Sequence, residues 1–382
     1  MNWIGTATLV QLQELWWLIC SVLGSLLIFL FFVQGGQTLL AQLAKTDKEK
    51  SLLANSLGRK WELSFTTLVT FGGAMFAAFP KFYATSFGGA YWVWMLILFT
   101  FILQAVSYEY RSKPNNVLGT KVFDIFLFIN GSVGVLLIGA AVGTFFTGSN
   151  FVLDRYNLMS WTHPLRGVEA AFSVFNLSLG IFLVFNSRVL GAMYLINNID
   201  FKGVVGLERR LRDAVLKNFY FSLPFLACFL IMIFLIKGYA VNEAGEITLL
   251  SRKYLQNLIE VPALAGSLAV GLVLVIAGVL LTAKTTKKSG IWFAGFGSFL
   301  VGMTVFGLAG FNNTAFYPSK ADLQSSLTIY NASSTLFTLQ TMTWVALAIP
   351  FVLGYVAYVW RAMDGTKLSV EELANPEAGE MY

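Results

Sequence analysis

The stretch from Asn55 to Tyr91 reads NSLGRKWELSFTTLVTFGGAMFAAFPKFYATSFGGAY. Arg59 and Lys60 lead into Trp61 and Glu62, and an apolar run broken only by Ser, Thr and Gly follows as far as Phe79-Pro80. Lys and Arg favour the charged headgroup level of a bilayer, Trp favours its boundary, and Pro80 ends a helix. The stretch therefore predicts the start of a membrane span. Glu62 stands one residue inside that boundary, where facing lipid is costly, so it is expected to face protein, water or a proton path.

The rest of the chain has the same character. Of its 382 residues 57% are hydrophobic and 12% charged, and the mean hydropathy is +0.69, which points to an integral membrane protein. Apolar runs near the length needed to cross a bilayer lie at residues 15–33, 61–79, 91–108, 122–146, 169–196, 219–236, 258–283, 291–311 and 336–360, and predict nine helical spans. No separate domain is expected, so residues 1–382 form one transmembrane unit. The first fourteen residues lack Lys and Arg and no small-residue cleavage site follows, so the first helix is expected to stay in the mature protein.

Charge supports this count. Nineteen of the 26 Lys and Arg residues fall in the odd-numbered loops and the tail. This asymmetry predicts an amino terminus outside and a carboxyl terminus in the cytoplasm. The formal charge of +6 thus reports topology rather than nucleic-acid binding. The segment Leu207-Glu208-Arg209-Arg210-Leu211-Arg212-Asp213 reads as a juxtamembrane helical extension, with an amphipathic surface helix as the alternative. Gly139 and Gly143, with Gly266, Gly271, Gly297, Gly302 and Gly307, mark close helix packing. Neither a phosphate-binding loop nor a dinucleotide fingerprint occurs, and Cys20 and Cys228 have no partner at metal-ligand spacing.

Few residues offer chemistry. The single histidine, His163, sits in an outer loop, unlike the buried axial ligands of haem iron, so the chain is expected to bind neither haem nor metal through its own residues. Glu62, Glu109 and Asp124 fall at the cytoplasmic ends of spans two, three and four and could form a proton intake. The plainer reading pairs Glu109 with Arg111 and Asp124 with Lys121. Asn130, Asn176, Asn312 and Asn313 read as interhelical hydrogen-bonding groups.

Two motif blocks carry a family resemblance. The first is Asn55-Ser56-Leu57-Gly58, Trp61-Glu62, Gly72-Gly73-Ala74-Met75-Phe76-Ala77-Ala78-Phe79-Pro80, Tyr83-Ala84 and Phe87-Gly88-Gly89. The second is Tyr317-Pro318-Ser319, Ser326 to Ser334, Pro350, Val352, Leu353 and Tyr355. Together they resemble subunit II of the cytochrome bd quinol oxidases. The resemblance implies an all-α membrane fold of two four-helix bundles plus a peripheral helix, in a bacterial cytoplasmic membrane. It implies a partner, subunit I, that carries haem b, haem d and the main quinol-oxidising loop, and in some members a structural quinone or a small accessory subunit. This chain would then hold no catalytic residue and would assist proton or oxygen access.

In many relatives an Asp-Gly-Phe-Asp motif ends the first span. Here Gln34-Gly35-Gly36-Gln37 stands there, and Gln exchanges no proton near neutral pH. Asn331, Ser333 and Ser334 are expected to cap the last span and to make subunit contacts. A secondary transporter or proton channel is the competing class, although paired broken helices are not evident.

Overall fold

A computed structural model describes residues 3–374, so the expected unit of 1–382 extends at both ends beyond the described residues. Long helices run at Leu9–Gln37, Tyr91–Tyr110, Thr120–Thr147, Val174–Asn198, Leu207–Leu235, Pro262–Lys284, Gly290–Gly310 and Leu336–Asp364, and among the described residues these eight are long and apolar enough to cross a membrane. The remaining expected span is a helix at Trp61–Ala78 of 18 residues, less apolar because Trp61, Glu62, Ser64 and three threonines dilute it. The fifth expected span begins later than predicted. Glu169 lies in a short 3-10 turn, Val168–Phe172, and the helix starts at Val174.

Local chemistry sets the ends. Thr8 caps the first helix by accepting from the Gln11 N–H at 3.3 Å, while the Gln11 side chain accepts from the Thr8 N–H at 3.0 Å. Phe79 leaves the helical region at φ −130°, and Pro80 opens a new short helix. The last helix bends around Leu347 and Ala348, just ahead of Pro350, whose missing N–H cannot continue the ladder. The Leu207 to Asp213 segment is a continuous extension of the sixth expected span, with Leu207, Leu211 and Ala214 buried.

Three elements were not anticipated. A helix at Asp47–Gly58, capped by Thr46, lies in the first loop, and two antiparallel hairpins fold the outer loops, Phe151–Leu153 with Met159–Trp161 and Lys237–Val241 with Ile247–Ser251. The chain is therefore helical with two small sheets outside its long helices.

Small residues bring the helices together. A Cβ on Gly139 would lie 2.6 Å from the Gly180 Cα, and one on Gly143 2.9 Å from the Asn176 Cα. Only hydrogen fits there, which seats the Thr120–Thr147 helix directly against Val174–Asn198. The first helix packs on Trp61–Ala78 and Gly290–Gly310, and its last turns cross Val174–Asn198. Leu336–Asp364 is mostly exposed.

Candidate functional site

The two motif blocks, more than 200 residues apart in sequence, fold onto one another. Phe79 meets Phe316 with ring centroids 5.8 Å apart, Phe82 meets Tyr317 at 5.0 Å, and the Ser334 N–H donates to the Ala78 carbonyl at 2.8 Å. Burial pushes the Tyr317 phenol up to about 12. Ser333 accepts from Gln13 of the first helix, and Asn331 closes its own loop by accepting from the Thr328 N–H at 2.8 Å. The expected helix cap is instead Thr335, whose hydroxyl accepts from the Thr338 N–H at 3.3 Å. Gly72 is buried and Gly73 exposed, and a Cβ on Gly73 would meet nothing within 4 Å. Nothing among the described residues explains that glycine.

Gln34 and Gln37 lie in a buried chain of amides. The Gln34 amide donates to Ser64 at 2.8 Å and to Gln104 at 3.3 Å, Gln104 donates to Gln37 at 3.1 Å, and Gln37 donates to Asn130 at 2.6 Å. Asn130 donates to Thr100 at 3.5 Å, and Thr100 to the Ile97 carbonyl at 2.7 Å. Tyr108 adds a second donor to Gln37 at 3.0 Å. Every link points the same way, so the bonds polarise one another. A π-turn at Asn130–Gly134 interrupts its helix where the chain passes. Of the five buried side-chain polar atoms without a hydrogen-bond partner among the described residues, two are Gln34 Oε1, in this chain of amides, and Trp61 Nε1. Trp61 stacks on Tyr108 at 5.9 Å.

The acids do not converge with this chain. Asp124 is buried and held by Arg111 at 2.8 Å and Lys50 at 2.9 Å. The expected partner Lys121 is not used, because Arg111 and Lys50 reach the carboxylate from other elements. Glu109 is exposed and pairs with Lys113 at 3.6 Å rather than with Arg111, whose guanidinium Asp124 has taken. Glu62 is exposed on this chain's surface and forms no ion pair among the described residues. It faces away from the interior of this chain, toward water or a partner.

Around the cytoplasmic-side loops, as charge orients them, further pairs form a collar. Lys60, fully buried, meets Asp364 at 2.8 Å and lies 5.2 Å over the Trp360 ring. Burial lowers its ammonium below the ordinary value while Asp364 acts in the opposite sense. Glu49 meets Arg210 at 2.7 Å. Burial alone would raise the Glu49 carboxyl, but the Lys45 N–H and Arg210 outweigh it and hold it below the usual value. His163 sits in an outer turn, accepting from the Leu165 N–H at 3.2 Å and 3.5 Å from Glu169.

About one helical turn along from Gln34 and Ser64, at Phe31 and Leu68, begins a cavity of about 150 Å³. Phe71, Ile138, Leu183, Phe229, Val301 and Phe306 are among its mostly apolar walls, and Ser86, Trp94, Asn186 and Ser298 supply polar points.

This arrangement defines a multi-pass helical membrane protein with a buried chain of polar side chains and an apolar chamber within its helices. Residues 12–363 match the family described as cytochrome bd terminal oxidase subunit II, and the chain belongs to that family. It is 30% identical to the cytochrome bd-I ubiquinol oxidase subunit 2 of Escherichia coli strain K12, over 94% of this chain and 97% of that one. It is 25% identical to the cytochrome bd ubiquinol oxidase subunit 2 of Bacillus subtilis strain 168, over 92% and 95%. Its fold resembles a chain of the bd oxidase from Geobacillus thermodenitrificans, with a TM-score of 0.66 at 13% identity, covering 93% of this chain and 99% of that chain.

Gln104, Tyr108, Ser64 and Thr100 escaped the sequence reading. Thr100, Gln104 and Tyr108 recur every fourth residue, a polar stripe on one helical face, and that spacing was the available signal.

Proposed function

We propose that this chain is the haem-free subunit II of a quinol:oxygen oxidoreductase of the aerobic respiratory chain, paired in a bacterial cytoplasmic membrane with a haem-bearing subunit I. Family membership across nearly the whole chain carries the reading. In it the chain forms one transmembrane domain of nine crossings, with Trp61–Ala78 as the second. The amino terminus lies outside and the carboxyl terminus in the cytoplasm, as the loop charges favour. Haem b and haem d of the partner supply the redox chemistry, and this chain contributes no catalytic residue.

Its own residues do three things. The amide chain ties the first helix to its neighbours without exchanging protons, since neutral amides neither gain nor lose one near pH 7. Glu62, turned outward, serves proton access where this chain meets its partner. The apolar cavity suits a quinone as a structural ligand, with Phe71, Leu183 and Phe306 against its apolar part and Ser86 or Asn186 near its polar head.

The test is a reduced-minus-oxidised spectrum of whatever a tag on this chain retrieves from membranes. Haem b and d bands with a second large membrane subunit are expected. A pure, haem-free chain that catalyses flux across liposomes would move it to the transporter class.

A further inference from the structure

Arg188 has no task in the oxidase reading. A Cβ on Gly35 of the first helix would fall 1.9 Å from the Ser187 carbonyl carbon, and this tight crossing fixes the Arg188 backbone. The half-buried side chain then reaches two other elements. Its Nε donates to Asn218 Oδ1 at 2.7 Å, a terminal nitrogen donates to Gln42 Oε1, and Asn218 is itself oriented by donating to the Ala214 carbonyl at 2.7 Å. Both partners are neutral. Elsewhere on this face the buried or half-buried cations meet carboxylates, including Arg111, Arg210, Arg212 and Lys60. Arg188 forms no ion pair among the described residues.

A guanidinium held at two nitrogens presents its remaining N–H groups as a fixed fork, a geometry suited to phosphate oxygens. The adjoining surface suits the rest of a lipid. About one turn deeper from this face stand Phe185 and Phe221, ring centroids 5.8 Å apart, with Phe225 at 6.1 Å from Phe185. Phe221 is exposed, and so is Lys217 beside Asn218. A merely snorkelling arginine needs neither clamp.

We propose that Arg188, clamped by Gln42 and Asn218, binds the phosphate of an anionic phospholipid, whose acyl chain lies along Phe185, Phe221 and Phe225. The site is at the headgroup level of the membrane face that carries the basic loops.

The intact complex, purified in mild detergent, is titrated with dioleoyl phosphatidylglycerol and separately with the phosphatidylcholine of the same chains, and bound lipid is counted by native mass spectrometry. Wild type is expected to hold phosphatidylglycerol about fivefold more tightly than Arg188→Gln, the scale of one interfacial arginine, with Arg188→Lys between them and phosphatidylcholine binding alike in all three. Equal phosphatidylglycerol binding by wild type and Arg188→Gln overturns the proposal. So does displacement by inorganic phosphate, which would mark a free-anion site, or loss of the partner subunit from Arg188→Gln, which would mark a counter-ion across the interface. If Arg188→Gln fails to fold or to reach the membrane, Phe221→Ala at the exposed apolar strip must weaken phosphatidylglycerol retention, and unchanged retention there also defeats the proposal.

Discussion

The amide chain and the cavity, which starts about one turn along the first helix at Phe31, solve opposite problems. Along Gln34, Gln104, Gln37, Asn130 and Thr100 each side chain donates to the next, with no carboxylate or cation in the line and with Gln34 Oε1 left over. The cavity, by contrast, offers apolar walls and few polar points. A buried polar network is stabilising when complete and costly when cut, because each abandoned group keeps its desolvation penalty. An apolar chamber gives up packing in exchange for room. One region specifies how the helices meet, and the other leaves space for an occupant.

The largest expected effect lies at the border of the polar region. Asp124→Ala leaves Arg111, whose side chain is 5% exposed, buried without its carboxylate, a loss of about 3–5 kcal/mol. Thermal melting of the complex should show it, and a melt unchanged from wild type would remove Asp124 from the structural core. Gln37→Leu comes next. It removes the hydrogen bonds to Gln104 and Asn130 together, and should cost about 3 kcal/mol at roughly 1–3 for each of the two groups. Gln34→Leu should cost less, because its Oε1 has no partner to lose. If the two leucine variants melt together, the directional chain is the wrong description.

In the cavity the same kind of change should be nearly silent. Ala141→Leu pushes a larger side chain toward empty space, so its melting temperature should stay near wild type, whereas overpacking a filled core costs about 1–3 kcal/mol. Any quinone that copurifies should fall in amount, as read by extraction and chromatography. A smaller effect belongs to acid. The Glu49 carboxyl is lowered in the folded chain, so the Glu49–Arg210 contact contributes above the ordinary carboxylate value and is lost as pH falls through the lowered one. Hydrogen exchange in the Asp47–Gly58 helix should speed up in that acid window and stay unchanged between neutral and mildly alkaline pH. Smallest of all for stability is Glu62→Gln on the exposed surface. It should leave the melt alone while slowing proton uptake and oxygen consumption, and full turnover would reduce this chain to a scaffold.

Much of the fold was legible because bilayer crossing writes itself into the chain as long apolar runs with basic loops between them. The long helices therefore overlie the predicted apolar runs, with the fifth starting later than expected, and Pro80 marks a real break. Pairings were not legible. Asp124 and Lys50 are 74 positions apart, and no local pattern announces which cation reaches a carboxylate. The Asp47–Gly58 helix had a signal in Thr46 followed by Glu49, a cap with an acid three residues on, but the eye follows hydrophobicity in such a chain. Gln34 and Gln37 drew notice only as replacements for acids. Their partners on the Tyr91–Tyr110 helix look, one at a time, like minor interruptions of an apolar run.

The most direct test of the central claim is where haem travels. The complex is purified through a tag on this chain, its haem is quantified by pyridine haemochrome, and the partner is then dissociated and both fractions are measured again. The account predicts haem b and haem d in the complex, all of it leaving with the partner. Haem that stays on this chain in fixed proportion would contradict it.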